Sequence, residues 1–169
     1  MAARVIIVMG VSGCGKTTLG KIIAANRHAV FIDGDDLHPK ENVAKMQQGI
    51  PLEDADREGW FDRIIKEANT LSAGHQECVI ACSALKKQYR DTLRAGIKQL
   101  TFVYLKVTYE QAYRQMLLRK EHYMPVALLK SQFETLEEPL PDEENIETVI
   151  LTKTLDENAA MVLDRLSSL

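Results

Sequence analysis

The stretch Val5 to Thr17, VIIVMGVSGCGKT, limits what this chain can become more than any other. Five apolar residues, Val5 to Met9, lead directly into Gly10, Val11, Ser12, Gly13, Cys14, Gly15, Lys16 and Thr17. The spacing G-x-x-x-x-G-K-[ST] has a physical origin. Its glycines let main-chain N–H groups converge on phosphate oxygens, and the helix that follows aims its positive end at the same anion. Lys16 adds a compact charge suited to β- and γ-phosphates, and the Thr17 hydroxyl is placed to ligate the Mg²⁺ that accompanies them. Thr18 faces the same region. Leu19, Ile22 and Ile23 give the next segment an apolar helical face, which completes the strand, loop and helix that the motif requires. The expected cofactors are therefore ATP and Mg²⁺.

Further buried-strand patterns occur at Val30 to Asp33, Cys78 to Cys82, Leu100 to Val107 and Thr148 to Thr152. Helical patterns separate them at Lys16 to Asn26, Lys40 to Gln48, Asp56 to Leu71, Lys87 to Arg94, Tyr109 to Lys120, Val126 to Leu136 and Asp156 to Leu166. Such alternation predicts a three-layer α/β fold, a parallel sheet covered by helices on both faces. With 169 residues, no repeat and no linker, a single domain spanning 1–169 is expected. Neither a long apolar span nor a secretory leader is evident, so a cytoplasmic protein without a membrane partner is expected. A formal net charge of −3 lacks the basic excess of a nucleic-acid binder. The three cysteines have no metal-ligand spacing, and Cys78 and Cys82 fall where small hydrophobes would pack.

In sheets of this kind ligands gather at the carboxyl ends of the strands. The second strand ends at Asp33 and opens D-G-D-D-L-H-P, so Asp33 is expected to hold Mg²⁺ through water and Asp35 to orient or deprotonate an attacking hydroxyl. Asp36 is expected to shape the turn. After the third strand, Lys86, Arg90 and Arg94 recur every four residues and would form one basic stripe on a helix. Lys86 and Arg90 are expected in the cleft, facing an anionic acceptor. Arg57, in EDADREGW, adds a guanidinium that can grip a carboxylate through two hydrogen bonds, while Asp54 and Asp56 cap the helix beneath it. His38 and His122 suit hydrogen bonds to hydroxyls better than metal ligation. The run LLRKEHYMP suggests a lid, approximately 119–126, that brings Arg119 over the phosphates and excludes water. These residues support a kinase for a small anionic acceptor. Shikimate, a nucleoside monophosphate, and a non-catalytic ATP-binding regulatory role all stay open at this level.

Four segments, MGVSGCGKTT, FIDGDDLHPKENVAKMQQGIPLEDADREGW, CSALKKQYRD and SQFETLEEP, together resemble the small, shikimate-kinase-like gluconokinases over nearly the whole chain. The resemblance implies ATP-dependent phosphorylation of D-gluconate at its 6-hydroxyl, with Mg²⁺, on a five-stranded parallel sheet of order 2-3-1-4-5. It implies that Gly10 to Thr17 bind ATP and that Asp33 and Asp35 serve metal and acceptor. His38, Arg57, Lys86 and Arg90 would surround the sugar acid, Arg119 would lie on the nucleotide side, and the enzyme would be a homodimer. One departure from the wider phosphate-loop pattern is that the third strand, CVIACS, ends without the aspartate that usually positions Mg²⁺. Within this family the task falls to Asp33.

Overall fold

The computed structural model describes residues 2–119, 126–152 and 154–169. Its centre is a sheet of five parallel strands, β1 (Val5–Met9), β2 (Val30–Asp33), β3 (Cys78–Ala81), β4 (Leu100–Lys106) and β5 (Ile146–Ile150). Their order, β2-β3-β1-β4-β5, is the expected one. Seven α-helices are found among the described residues: α1 (Lys16–Asn26), α2 (Lys40–Gln47), α3 (Asp54–Ala73), α4 (Lys87–Gly96), α5 (Tyr109–Leu118), α6 (Ala127–Thr135) and α7 (Leu155–Ser167). A short 3₁₀ turn, Gly34–Leu37, links β2 to α2. No described helix is long and apolar enough to cross a membrane.

Strand alternation divides the core into two halves. Ile6 and Val8 of β1 pack on one face with Leu19 and Ile23 of α1, Ala112 and Met116 of α5, and Val162 and Leu166 of α7. Val5, Ile7 and Met9 face the other way, onto Trp60, Phe61 and Ile64 of α3 and Tyr89 and Leu93 of α4. Because β1 is covered on both sides, it reads as an unbroken apolar run. Cys14, Cys78 and Cys82 are all buried, and burial pushes the thiols of Cys78 and Cys82 up to about 11 and about 12. They act as small apolar side chains, as expected.

Several boundaries differ from expectation for local reasons. β5 begins at Ile146 instead of Thr148; it is an edge strand, paired only with β4, and so tolerates the half-buried Glu147 and Thr148 on its two faces. α3 begins at Asp54 instead of Asp56. Asp56 is its third residue, and its carboxylate reaches back to the Glu53 N–H (2.8 Å) in a capping box. α5 ends at Leu118, with Arg119 as its C-cap. Most of the expected lid, 120–125, lies outside the described residues, and so does His122.

Candidate active site

The loop Gly10–Gly15 leaves β1 at the carboxyl edge of the sheet and turns directly into α1. Two of its glycines are demanded by geometry. Gly15, the N-cap of α1, has φ 94°, a left-handed conformation costly for other residues. Gly13, with φ 79°, lies so close to α5 that a Cβ would stand 2.4 Å from the Ala112 carbonyl oxygen. Val11 and Cys14 bury their side chains beneath the loop, so only their main chain can face a ligand. Lys16 arches over the loop and donates from Nζ to the carbonyls of Gly10 and Val11, both at 3.0 Å. The Ser12 N–H is turned towards α6 and donates to Gln132 Oε1 at 2.7 Å.

The acidic pair expected at the end of β2 meets this loop. Thr17 Oγ1 donates to Asp33 Oδ2 at 3.1 Å, although β3 separates β2 from β1 in the sheet. The other oxygen, Asp33 Oδ1, accepts the Asp35 N–H at 3.0 Å and caps the 3₁₀ turn. Turn shaping therefore falls to Asp33 itself, where the sequence pointed to Asp36. Gly34 is required for another reason, since a Cβ there would stand 2.3 Å from the Ala81 carbonyl oxygen. Trp60 holds the turn from below by donating from Nε1 to Gly34 O at 2.7 Å. A hydroxyl and a carboxylate this close are the hard oxygen donors that Mg²⁺ prefers, with phosphates and water completing its shell. Among the described residues no cluster of three or more His, Cys, Asp or Glu could hold a metal.

His38 is buried and stacked on Trp60, with ring centroids 3.9 Å apart. Burial, assisted by the Arg57 charge, pushes its pKa down to about 3, so the ring is neutral. Asn42 Nδ2 lies 3.3 Å from His38 Nδ1 and can only donate, which leaves the ring proton on Nε2, 4.0 Å from Asp35 Oδ1. Arg57 is fixed by two acceptors, Leu52 O (2.6 Å) and the Tyr89 hydroxyl (3.3 Å). One cleft gathers Ser12, Lys16, Thr17, Asp33, Asp35, His38, Arg57 and Arg119, with Ser83, Ser131, Gln132 and Thr135. Thr18 is not on its wall.

Two of the expected acceptor residues are not in the cleft. Arg90 is fully buried within the fold. It forms a paired contact with Glu143 (Nε–Oε1 2.6 Å, Nη2–Oε2 3.0 Å), and its Nη1 donates to Ala84 O and Leu85 O at 3.1 and 3.2 Å. Burial raises the Glu143 carboxyl, but hydrogen bonds from Arg90 and Arg94 outweigh it and hold the pKa at about 2. Arg90 is thus a brace between α4 and the loop before β5. Lys86 donates to Asp54 Oδ1 at 3.0 Å, the carboxylate that also accepts from the Tyr89 hydroxyl and from Gln88 Nε2 (3.0 Å). It is linked to Arg57 only through Tyr89. The expected stripe fails because Lys86 is extended (φ −98°, ψ 147°) as the N-cap of α4, so Lys86 and Arg90 do not share a helical face. Trp60, Tyr89, Glu143 and Gln132 were missed, since a lone tryptophan or glutamine in a helical pattern carries no chemical signature.

A phosphate loop facing a carboxylate at the end of a parallel strand two places away in the sheet, with fixed cations around an open cleft, defines a phosphate-loop kinase of small molecules. A family model described as Shikimate kinase matches residues 12–166. The thermosensitive gluconokinase of Escherichia coli K12 is 51% identical over 146 residues, covering 86% of this chain and 78% of that one. The thermoresistant gluconokinase of the same organism is 39% identical, with 95% and 92% covered. A gluconokinase structure from Sinorhizobium meliloti 1021 superposes with a TM-score of 0.84 at 41% identity, covering 98% of this chain and 94% of that one. The chain belongs to the gluconokinases of the shikimate kinase family.

Proposed function

We infer that the protein transfers the γ-phosphoryl group of ATP to the 6-hydroxyl of D-gluconate, giving 6-phospho-D-gluconate and ADP. The observation that carries this reading is the 3.1 Å contact between Thr17 and Asp33, which brings a metal-ligating pair and the Asp35 carboxylate into the cleft that holds Lys16. Loop amides, Lys16 and Arg119 bind and neutralise the phosphates. Asp35 takes or aligns the proton of the acceptor hydroxyl, with the neutral His38 Nε2–H beside it. Arg57, already fixed in direction, receives the acceptor's carboxylate. Mg²⁺ bound by Thr17 and Asp33 would offset charge on the phosphates during transfer. Gluconokinase relatives support the choice of acceptor, and no contact in the cleft favours shikimate or a nucleoside monophosphate. A cytoplasmic homodimer belongs to the same proposal, on family resemblance, and its mass in solution tests the dimer.

Acceptor-dependent ADP release decides the matter. Turnover is expected with gluconate and not with shikimate or nucleoside monophosphates, and equal ADP release with and without every acceptor would refute it. Asp35→Asn should lower kcat by about 10²- to 10⁴-fold while ATP affinity is retained. A matched loss of both would make Asp35 a metal-linked residue.

A further inference from the structure

The segment Ser131–Glu138, SQFETLEE, has no role in the chemistry described so far, yet it borders the cleft. Ser131, Gln132 and Thr135 lie on the cleft wall. The next residues tie the end of α6 to the start of α4: Glu137 N–H donates to Leu85 O and Glu137 Oε2 accepts from Lys87 N–H, both at 2.8 Å. Glu138 pairs with Lys106 of β4 at 2.8 Å. Gln132 is therefore held on a braced helix end while its Oε1 sits on the Ser12 N–H at 2.7 Å.

That contact sets the polarity of the carboxamide. The donor is a main-chain N–H, so the acceptor must be the amide oxygen, and what Gln132 can offer a ligand from its other end is N–H donors. It shares the cleft with Lys16, Arg119 and Asp35. The phosphoryl group in transit carries negative charge on its equatorial oxygens, and fixed donors aimed at such charge are among the strongest contributions to catalysis.

We propose that Gln132 is a further catalytic residue, whose amide nitrogen donates to the phosphoryl group between ATP and acceptor while the Ser12 N–H fixes its orientation. The bond broken is that between phosphorus and the β–γ bridging oxygen, and the bond formed is to the acceptor oxygen, whose proton goes to Asp35. Gln132 exchanges no proton. This proposal rests on the roles given above to Lys16 and Asp35.

Gln132→Glu and Gln132→Ala separate the donor from the clamp. The glutamate variant can still accept from the Ser12 N–H but has no donor when ionised, whereas the alanine variant loses both. Both are expected to lower kcat with ATP and gluconate by about 10²-fold. ADP affinity, measured by calorimetry, and melting temperature should stay near those of the unaltered protein. The rate of Gln132→Glu relative to the unaltered protein should rise as pH falls, because a protonated carboxyl regains a donor. Full kcat in Gln132→Glu would overturn the proposal, whether Gln132→Ala is slow or fails to fold, since the contact with Ser12 would then be merely structural. A relative rate independent of pH would also overturn it. Asp35→Asn is assayed alongside: full activity there would mean that the site reading itself had failed, whatever Gln132 does.

Discussion

His38 should make the stability of the fold depend on pH in a way one substitution can isolate. Its ring is buried and stacked on the Trp60 indole, and burial together with the Arg57 charge moves its pKa from 6.5 to about 3. A histidine whose folded value lies below its unfolded value takes up its proton first in the unfolded chain. The fold is therefore fully favoured above pH 6.5 and loses stability as pH falls through 6.5 towards 3. One pH unit below the unfolded value is worth about 1.36 kcal/mol, so the roughly 1.5 units between 6.5 and pH 5 cost about 2 kcal/mol relative to a side chain that does not titrate. His38→Gln keeps a polar group and removes the titration. Urea unfolding from pH 7 to pH 5, followed by fluorescence of Trp60, the chain's one tryptophan, gives both curves. Exposed histidines such as His28 and the many carboxylates contribute equally to both proteins and cancel in the difference. The unaltered protein should lose about 2 kcal/mol more than the variant over that interval. Parallel losses would show that His38 protonates in place, and the neutral Nε2–H assigned beside Asp35 would then be wrong.

Two further substitutions test placements that differ from simple sequence reasoning. Glu143→Ala leaves the Arg90 guanidinium buried without its anion, which should cost about 3–5 kcal/mol and lower the melting temperature by about 10 °C. Its gluconate KM below the transition should be unchanged, and a raised KM with unaltered melting would return Arg90 to the acceptor site. Gly34→Ala forces a Cβ onto the Ala81 carbonyl and should shift the turn between Asp33 and Asp35. We expect about a 10²-fold fall in kcat from that displacement, and near-normal turnover would mean that the turn's position is not critical.

The parallel strands and the phosphate loop were legible because each is encoded locally, by an apolar strand, a glycine pattern and an amphipathic helix next to one another in the chain, whereas the strand order followed only from the family resemblance. The meeting of Thr17 with Asp33 was legible too, since parallel strands deliver their carboxyl ends to one edge. Arg90 was misplaced for the opposite reason. Its partner Glu143 lies 53 positions away in PDEEN, where three adjacent carboxylates look alike and only packing selects one for burial. Lys86 was misplaced because it is the extended residue before α4 and pairs with Asp54, a carboxylate 32 positions away that spacing does not reveal. Trp60 acts through a hydrogen bond to Gly34 O and stacking with His38 and Phe61, none of which spacing can announce.

The sheet order explains how one cleft can combine fixed chemistry with a separate acceptor site. α1 leaves β1 and packs across β3 towards β2, so its first turn carries Thr17 over the intervening strand to Asp33. Towards β1 and β4 the wall is built from the phosphate loop, the end of α5 with Arg119, and α6 with Gln132. Towards β2 it is built from the 3₁₀ turn, the segment before α3, and α3 with Arg57 and Trp60. Asp33 belongs to both, because one carboxylate oxygen meets Thr17 while the other caps the turn that carries Asp35. Changes between α2 and α3 can therefore alter which acceptor is held without touching the loop that grips the phosphates.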